Sequence, residues 1–496
     1  MEPIVYLTVN TGFLFTEMDE RYKLTQPPPL NVVNPALYLM NESTVDTNQD
    51  PAFSRHAGEV LGNELKLEGS YELFVDPNAD TTFLTGTGGG QIITAIPYAL
   101  SRAFPNMNFL IVEKIPFFNL HRMAVVDFSY SNVRWQGFYN PNEIVLRPGE
   151  ILIEWVTSPN NPNGEFRQPV TEARIILADF VFASDTYGPN GNGYIQENLQ
   201  WIRKARNEDK LVLSLDSASK HYGRPGDRIG YMWYPRNDGF GERLFPSFIL
   251  GLFLFGASSS TSCNQLLNFI SLFSSLPERV RTNFFNDMNA SLKKRYYVLS
   301  ELLQKKYPGS TNITVAGSPT LFIKINDPRI TQMDAVQVVF ADTRTLGLSG
   351  IIYGDTREFV RFNLLAPSLD ISTFANRLAG DDIYSPEDFV LSRKDGCVYK
   401  FINSHIDSIV NCVKYYVVKF GDCVLEGDTS SYRIVIDLPL FIGYEFSPII
   451  SIKKINGMGH EMVIIGDGID LTLSEKEYVC IQWQNPLLRN GKWIII

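Results

Sequence analysis

Lys220 is the residue whose type and surroundings point most directly to chemistry. It follows the apolar run Leu211–Leu215 and lies among serines and glycines, in the segment SLDSASKHYGRPGDRIG that begins at Ser214. Burial there would lower the pKa of the amine and free it for reaction with a carbonyl group. Ser217 and Arg228 are close in sequence and could bind a dianionic phosphate through a hydroxyl and a forked guanidinium. A lysine in such a loop is more often structural, so the rest of the sequence has to decide.

Short apolar runs alternate with helical patterns on both sides of this lysine. Predicted strands cover Phe109–Val112, Ile151–Val156, Ile175–Leu177 and Leu211–Leu215, and predicted helices cover Gln91–Ala103 and Ile195–Asn207. Alternation of this kind is typical of a mostly parallel, doubly wound α/β sheet. The sequence therefore predicts an α/β fold in which Lys220 follows a strand of the sheet.

Four regions are predicted along the chain. Residues 1–49 form an N-terminal arm or part of a small domain, and residues 50–270 form a large domain. Residues 271–385 form a linking helix and the small domain, and residues 386–496 form an appended β-rich domain without a catalytic set of residues. The apolar run Phe245–Ala257 is well short of the ~20 residues of a membrane span and predicts a buried segment.

The composition disfavours several classes of function. The 496 residues are 44% hydrophobic and 20% charged, as in ordinary globular proteins. A net charge of −10 disfavours nucleic acid as a partner, because phosphate binding needs a concentrated basic surface. The N-terminus shows no secretory signal, and the five cysteines form no CxxC pair, so neither a disulfide scaffold nor a zinc site is expected. We therefore expect a cytoplasmic protein without metal, nucleic acid or membrane as a partner.

The segment around Lys220 resembles the lysine motif of fold-type I pyridoxal-phosphate enzymes, and is most similar to that of the alliinase and plant tryptophan aminotransferase family. Ser217, three residues before the lysine, and Arg228, eight residues after it, hold the positions of the family's phosphate-binding serine and arginine. The resemblance implies that Lys220 binds pyridoxal 5'-phosphate as a Schiff base. It also implies the fold-type I aminotransferase architecture, with a large sheet domain and a small α/β domain.

Three further segments resemble family motifs in the same order along the chain. TGTGGGQ, at Thr85–Gln91, resembles a glycine loop whose amides bind the cofactor phosphate, which implies contacts from Thr87, Gly88 and Gly89. IPFF resembles Ala-Pro-Phe-Tyr and implies that Phe118 lies against the pyridine ring, although a plain core aromatic is the alternative. TSPNNPNG resembles Ser-Pro-x-Asn-Pro-x-Gly and implies that Asn161 binds the ring oxygen and lies near the substrate.

Two charged residues complete the implied site. Asp179 holds the position of the carboxylate that pairs with the ring nitrogen, and Asp185, six residues on, is a rival. Arg361 holds the position of the arginine that binds the substrate carboxylate, with a surface ion pair as the alternative. Phe182 departs from the family, which has a tyrosine there that bonds the ring oxygen. Loss of that bond should raise the pKa of the Schiff base.

The resemblance implies an aminotransferase that acts on an L-amino acid, in which Lys220 moves the Cα proton through a quinonoid intermediate. A lyase that eliminates a β-substituent by cleaving a C–S bond is the first alternative, because it shares the steps up to that intermediate. The second alternative is a structural or binding protein that has lost catalysis. A homodimer is also implied, with residues 256–265 as a candidate contribution to the facing subunit's site.

Overall fold

A computed structural model describes residues 4–7, 17, 51–223, 229–236, 239–255, 267, 270, 273–274 and 278–390, together with eight short strands between residues 398 and 495. The backbone divides into two units, Met1–Val390 and Leu391–Ile496. Among the described residues, no helix has both the length and the apolar character that crossing a bilayer requires.

The first unit alternates strands and helices along most of its length. Its strands are β1 (Val5–Tyr6), β2 (Thr81–Thr87), β3 (Asn108–Lys114), β4 (Val133–Phe138), β5 (Glu150–Thr157), β6 (Ile175–Asp179), β7 (Leu211–Ser217), β8 (Ile229–Pro235), β9 (Thr311–Asn312), β10 (Thr320–Lys324), β11 (Thr345–Leu346), β12 (Leu348–Ser349) and β13 (Phe359–Asn363). Its α-helices are α1 (Pro51–Glu68), α2 (Tyr71–Phe74), α3 (Gly89–Ala103), α4 (Asn119–Val126), α5 (Ile195–Asn207), α6 (Ala218–His221), α7 (Gly239–Leu254), α8 (Glu278–Lys306), α9 (Ala335–Thr343) and α10 (Ser368–Ala379).

Seven strands form the central sheet, in the order β2-β8-β7-β6-β5-β3-β4. The pairs from β4 through β3, β5 and β6 to β7 are parallel, and β8 runs antiparallel to both of its neighbours. Every residue of β6 and β7 is buried, which is typical of strands covered by helices on both faces. The predicted mostly parallel α/β sheet is confirmed.

Two hydrophobic cores lie on the opposite faces of this sheet. Ile175 and Leu177 of β6 belong to one core, and Ile176 and Ala178 belong to the other, because successive side chains of a strand point to opposite faces. The first core includes buried residues of α3 and α7, and the second includes buried residues of α1 and α5. Asp179 follows the alternation of Ile175 and Leu177, so its side chain lies on the α3 side of the sheet.

The predicted strands and helices of the large sheet are present with bounds that differ by at most two residues at either end, and one prediction of burial is wrong in part. Helix α5 has the predicted bounds, whereas β6 extends two residues beyond Leu177 and ends at Asp179. The prediction that the run beginning at Phe245 is buried is wrong in part. Helix α7 buries Phe248 and Leu252 but leaves Phe253 54% exposed and Leu254 55% exposed. An apolar sequence alone does not distinguish burial in a core from burial against another chain.

A second sheet has the order β12-β13-β10-β9, with antiparallel pairing throughout. Its central strand β13 carries Arg361, which pairs with Phe322 of β10 on one side and with Leu348 of β12 on the other. Separately, β1 pairs in parallel with β11. The backbone amide of Asn363, at the end of β13, donates to Leu7 O and so ties the N-terminal residues to this sheet.

The second unit contains only strands among its described residues. They are β14 (Val398–Phe401), β15 (Asp422–Asp428), β16 (Ile434–Asp437), β17 (Ile449–Ile455), β18 (Met462–Gly466), β19 (Ile469–Leu473), β20 (Tyr478–Gln484) and β21 (Lys492–Ile495). Five of them form a sheet in the order β14-β15-β17-β20-β21, and three form the sheet β16-β18-β19. The predicted β-run Val413–Phe420 lies outside the described residues.

We predict that Gly230→Ala destabilises the first unit. Gly230 is the second residue of the antiparallel strand β8, beside the glycine turn, and a Cβ atom there would lie 2.3 Å from the carbonyl carbon of Gly88. Because backbone has to move, we expect the free energy of unfolding to fall by about 3 kcal/mol in denaturant titrations. Gly239→Ala is the matched control, since nothing lies within 4 Å of its added Cβ. Equal stability of the two variants would contradict this prediction.

Candidate active site

A cavity of about 490 Å³ lies at the carboxyl ends of β5, β6 and β7. The final residues of these strands, Thr157, Asp179 and Ser217, all line it, because parallel strands end at the same edge of a sheet. The residues predicted for the site that share this cavity are Lys220, Asp179, Asn161, Ser217, Phe118, Gly89 and Arg361. Side chains separated by more than two hundred positions are thus brought to one place.

The remaining predicted residues lie elsewhere. Thr87 and Gly88 are not on the cavity wall, and the Thr87 hydroxyl donates to Gln91 Oε1 at 3.0 Å. Gly88 has a φ of +75° and precedes α3, so the helix begins with Gly89 at the cavity. Arg228 lies outside the described residues. Of the two rival carboxylates, Asp179 lines the cavity and Asp185 does not.

The lysine segment is held by hydrogen bonds on either side of Lys220. Ser217 caps the short helix α6 by accepting from the Ser219 amide at 3.2 Å, and its hydroxyl donates to Ile229 O at 3.1 Å. The buried hydroxyl of Tyr187 donates to Lys220 O at 2.6 Å. The backbone of the lysine is therefore fixed while its half-buried side chain lines the cavity.

Ser219 is a cavity residue that the sequence reasoning missed. Its Oγ is buried and has no hydrogen-bond partner among the described residues. A buried hydroxyl without a partner loses the free energy of its hydrogen bonds to water, so a ligand that bonds it is favoured. Ser219 stands directly before Lys220, and this position is the feature of the sequence that could have pointed to it.

Asp179 is held by donors on both carboxylate oxygens. Oδ1 accepts from the Val181 amide at 3.0 Å, and Oδ2 lies 3.2 Å from His121 Nε2. The other ring nitrogen, Nδ1, lies 3.0 Å from Glu113 Oε2. The Thr157 hydroxyl donates to Glu113 Oε1 at 3.1 Å. Asp179, His121 and Glu113 are all buried and form one row, which we call the carboxylate–histidine row.

The charge of His121 is set by its two carboxylates. Burial lowers the pKa of the imidazole, but Glu113 and Asp179 raise it more, to about 9. The ring also stacks on Trp155 with centroids 4.0 Å apart and an angle of 19°. His121 is therefore a buried cation at neutral pH. The sequence reasoning overlooked both Glu113 and His121, because neither falls in a motif.

Arg361 faces the same cavity from the second sheet. It is 4% exposed, and burial lowers its pKa. One guanidinium nitrogen donates to Asn161 Oδ1 at 3.2 Å, and the guanidinium carbon lies 5.2 Å from the centre of the Tyr353 ring. A buried arginine at a cavity wall can bind a carboxylate with two parallel hydrogen bonds.

Two phenylalanines complete the wall near the lysine and the row. Phe118 meets His121 edge to face at a centroid distance of 5.4 Å. Phe182 lines the cavity and meets Tyr187 edge to face at 5.2 Å. The Tyr187 hydroxyl donates its hydrogen to Lys220 O. Tyr187 therefore does not replace the hydroxyl that the family's tyrosine has and Phe182 lacks.

Comparison with known families assigns the chain. The family model described as Allinase (Alliinase_C) matches residues 75–380, which is well over half of the sequence. The chain belongs to the alliinase family. Members of this family and fold-type I aminotransferases depend on pyridoxal phosphate, so the predicted family and cofactor are confirmed.

Curated relatives of this alliinase-family chain include two kinds of protein. Tryptophan aminotransferase-related protein 3 of Arabidopsis thaliana is 22% identical over 294 residues, which cover 56% of this chain and 59% of that protein. Alliin lyase 1 of Allium sativum is 28% identical over 159 residues, which cover 31% of this chain and 29% of that protein. The chain therefore spans less than two thirds of the length of either relative.

Solved structures share the fold of this alliinase-family chain. An aminotransferase from Escherichia coli superposes with a TM-score of 0.53 at 16% identity, over 77% of this chain and 92% of that chain. Alanine aminotransferase from Pyrococcus furiosus superposes with a TM-score of 0.52 at 14% identity, over 76% of this chain and 92% of that chain. The predicted fold-type I aminotransferase architecture is confirmed.

The cavity of this alliinase-family chain fits pyridoxal phosphate. Its volume suits a small aromatic ligand, and the buried Ser219 hydroxyl offers a donor that no described residue uses. Gly89 and Gly90 bring the N-terminal turn of the 15-residue helix α3 to the wall, where its amides favour an anion. Asp179 on the cavity wall would be the partner for a ring nitrogen.

We predict that His121 makes the stability of the chain depend on pH. A folded-state pKa raised from 6.5 to about 9 stabilises the protein fully below pH 6.5, and this contribution is lost as the pH rises through 9. The free energy of unfolding of the wild type should exceed that of His121→Gln most near pH 6. The difference should shrink by roughly 3 kcal/mol by pH 10. Denaturant titrations across this range test the prediction, and a pH-independent difference would contradict it.

Proposed function

We propose that this protein is a pyridoxal-phosphate-dependent aminotransferase that acts on an L-amino acid in the cytoplasm. The observation that carries the proposal is the single cavity that holds Lys220, Asp179 and Arg361. An amine, a fixed carboxylate and a buried guanidinium are the three groups that such a reaction needs around one substrate. The greater length over which the tryptophan aminotransferase-related protein aligns also favours transamination.

The residues that hold the cofactor act at its two ends. When bound, pyridoxal phosphate provides an electron sink for the negative charge that develops at the substrate Cα. Asp179 holds a proton on the ring nitrogen. The amides at the start of α3 and the hydroxyl of Ser219 would bind the phosphate. Ser217 and Arg228 remain predictions there, and the Ser217 hydroxyl would have to leave Ile229 O to donate to the phosphate. Phe118 provides a flat apolar face, and Asn161 orients the ring oxygen.

Lys220 is the group that reacts. With pyridoxal phosphate bound, its ε-amine would hold the cofactor covalently until the amine of a substrate replaces it. The freed amine would then be the base that takes the proton from the substrate Cα. The hydrogen bond from the Tyr187 hydroxyl to Lys220 O holds the backbone of the lysine, so the lysine side chain extends from a fixed position.

Arg361 and Asn161 orient the substrate. The planar guanidinium binds the α-carboxylate with two bonds, and its hydrogen bond to Asn161 fixes the plane in which it does so. Positioning of this kind converts a bimolecular proton transfer into a local one. The apolar wall, which includes Leu348 and Ile352, excludes water from the reacting atoms.

A C–S lyase is the second candidate function, favoured by the similarity to alliin lyase. The two reactions share removal of the Cα proton by Lys220 and differ in the next step, which is reprotonation in one and loss of a β-substituent in the other. Incubation with an amino donor and a keto-acid acceptor separates them. An aminotransferase converts the acceptor to its amino acid, whereas pyruvate and ammonia formed from a cysteine derivative without any acceptor would contradict the proposal.

A second copy of the chain covers the exposed apolar surface of α4 and α7. The surface consists of Met123, Val126, Phe128, Leu250, Phe253 and Leu254, each at least 37% exposed. The two parts are adjacent, since the rings of Phe128 and Phe255 meet at 5.1 Å. Monomeric proteins rarely expose a contiguous apolar patch of this kind, and a homodimer removes it from water.

We predict that Lys220→Ala abolishes cofactor attachment. The wild type loaded with pyridoxal phosphate should absorb at the edge of the visible range, and borohydride should then fix the cofactor mass to the chain. The variant should show neither, because Lys220 supplies the amine of the cavity wall. Lys204→Ala is the control, since its side chain is 78% exposed on α5. Absence of the band in the wild type with added cofactor would rule out both enzyme functions and leave the structural or binding role.

We predict that Phe253→Arg weakens the homodimer. The residue is 54% exposed on α7, and a charge there would be desolvated in the interface. Sedimentation equilibrium should show a dissociation constant at least tenfold larger, which corresponds to a cost of about 1.4 kcal/mol or more. Val145→Arg is the control, because Val145 is 67% exposed but lies outside the α4 and α7 surface. A wild type that is monomeric at all concentrations contradicts the proposal.

A further inference from the structure

The carboxylate–histidine row extends behind Asp179, away from the cavity. Asp179 lines the cavity wall, whereas His121 and Glu113 do not. The proposed reaction uses Asp179 and gives no task to the other two. Burying two carboxylates and a histidine in a protein interior is costly unless each is paired, so the row calls for an explanation.

The geometry fixes the protonation of the row. A neutral imidazole carries one N–H group and one lone pair. Here both ring nitrogens face carboxylate oxygens, with Nδ1 3.0 Å from Glu113 Oε2 and Nε2 3.2 Å from Asp179 Oδ2. A lone pair at either position would repel a carboxylate, so both nitrogens carry protons and His121 is a cation.

We propose that Glu113 and His121 are positioning residues that keep the Asp179 carboxylate aimed at the ring nitrogen of bound pyridoxal phosphate. This inference rests on the proposed function, since it needs the cofactor in the cavity. His121 holds one oxygen of Asp179 from behind, and the Val181 amide holds the other at 3.0 Å. Asp179 thus keeps its orientation before the cofactor arrives.

Glu113 supplies the charge that makes this arrangement work. With a cationic His121 alone, the charge of Asp179 would be neutralised and its attraction for a protonated ring nitrogen weakened. The second carboxylate returns the row to a net charge of −1, with Asp179 nearest the cavity. Because charges in a buried region are poorly screened, this difference acts on the ring nitrogen.

The groups around the row support this balance. Trp155 stacks on His121, and the Thr157 hydroxyl donates to Glu113 at 3.1 Å. Besides His121, the charge of Arg167 acts on Glu113, and Arg167 also lies 3.4 Å from Glu165. The Arg167 guanidinium donates to Lys114 O at 2.6 Å, and Glu165 also pairs with Lys114 at 2.9 Å. No hydrogen bond among the described residues joins Arg167 to Glu113, whereas His121 contacts Glu113 directly.

The test removes the charge of Glu113 with little change in its size. Glu113→Gln keeps the volume of the side chain and its acceptor oxygen. Glu154→Gln is the matched control, because Glu154 is a carboxylate on the neighbouring strand that is equally buried and accepts from the Val170 and Thr171 amides. The full-length proteins are freed of cofactor and titrated with pyridoxal phosphate. A parallel titration uses an analogue with carbon in place of the ring nitrogen.

We expect Glu113→Gln to bind pyridoxal phosphate about tenfold more weakly than the wild type, as expected for a partner behind a ligating residue. It should bind the carbon analogue as the wild type does, because that ligand has no ring nitrogen for Asp179 to hold. The ratio of the two affinities should stay at the wild-type value in Glu154→Gln. Equal losses for both ligands, or no loss for either, would overturn the inference.

A second variant guards against failure to fold. His121→Gln places an uncharged amide near Asp179 and should also change this ratio, because it removes the positive charge behind Asp179. An unchanged ratio in a folded His121→Gln overturns the inference while the wild type still binds cofactor. If the wild type binds neither ligand, the proposed function fails and this inference falls with it, so the two failures are distinguishable.

Discussion

The buried negative charge of Asp179 is the constraint on which the site depends. The parallel register places this carboxylate at the end of β6, beside Thr157 of β5, where water does not reach. A carboxylate in such a place is stable only if donors surround it. The Val181 amide and His121 provide them, and the cost of burying His121 is in turn offset by Glu113. The charge of Asp179 thus requires matching groups on a strand (Glu113), a helix (His121) and a loop (Val181).

The positively charged side of the cavity is formed by a strand of the second sheet. Arg361 lies on β13, and its hydrogen bond to Asn161 joins that strand to the loop after β5. A substrate carboxylate bound at Arg361 is therefore fixed relative to Asn161 and, through the sheet register, relative to Asp179.

Most of the fold and part of the site follow from the sequence. The helix at Ile195–Asn207 was predictable because its apolar residues recur at helical spacing, and Lys220 and Asn161 were predictable because their neighbours form motifs. Glu113 and His121 carry no such signal. The contact of His121 with Asp179 joins positions 58 residues apart on α4 and β6, and no local pattern encodes it. The exposed face of α7 was missed for a related reason, since its apolar run serves a surface as well as a core.

Phe182 departs from the family pattern on the wall of the cavity. It has no hydroxyl, so a bound ring would lack the hydrogen bond that the family's tyrosine donates to the ring oxygen. Glu113 and His121 lie behind Asp179 as two further buried ionisable residues. In the proposed function they would act on the ring nitrogen through Asp179. Because removal of the Cα proton precedes both transamination and elimination, this effect would bear on the step that the two reactions share. The choice between them would then depend on whether a proton returns or a β-substituent leaves.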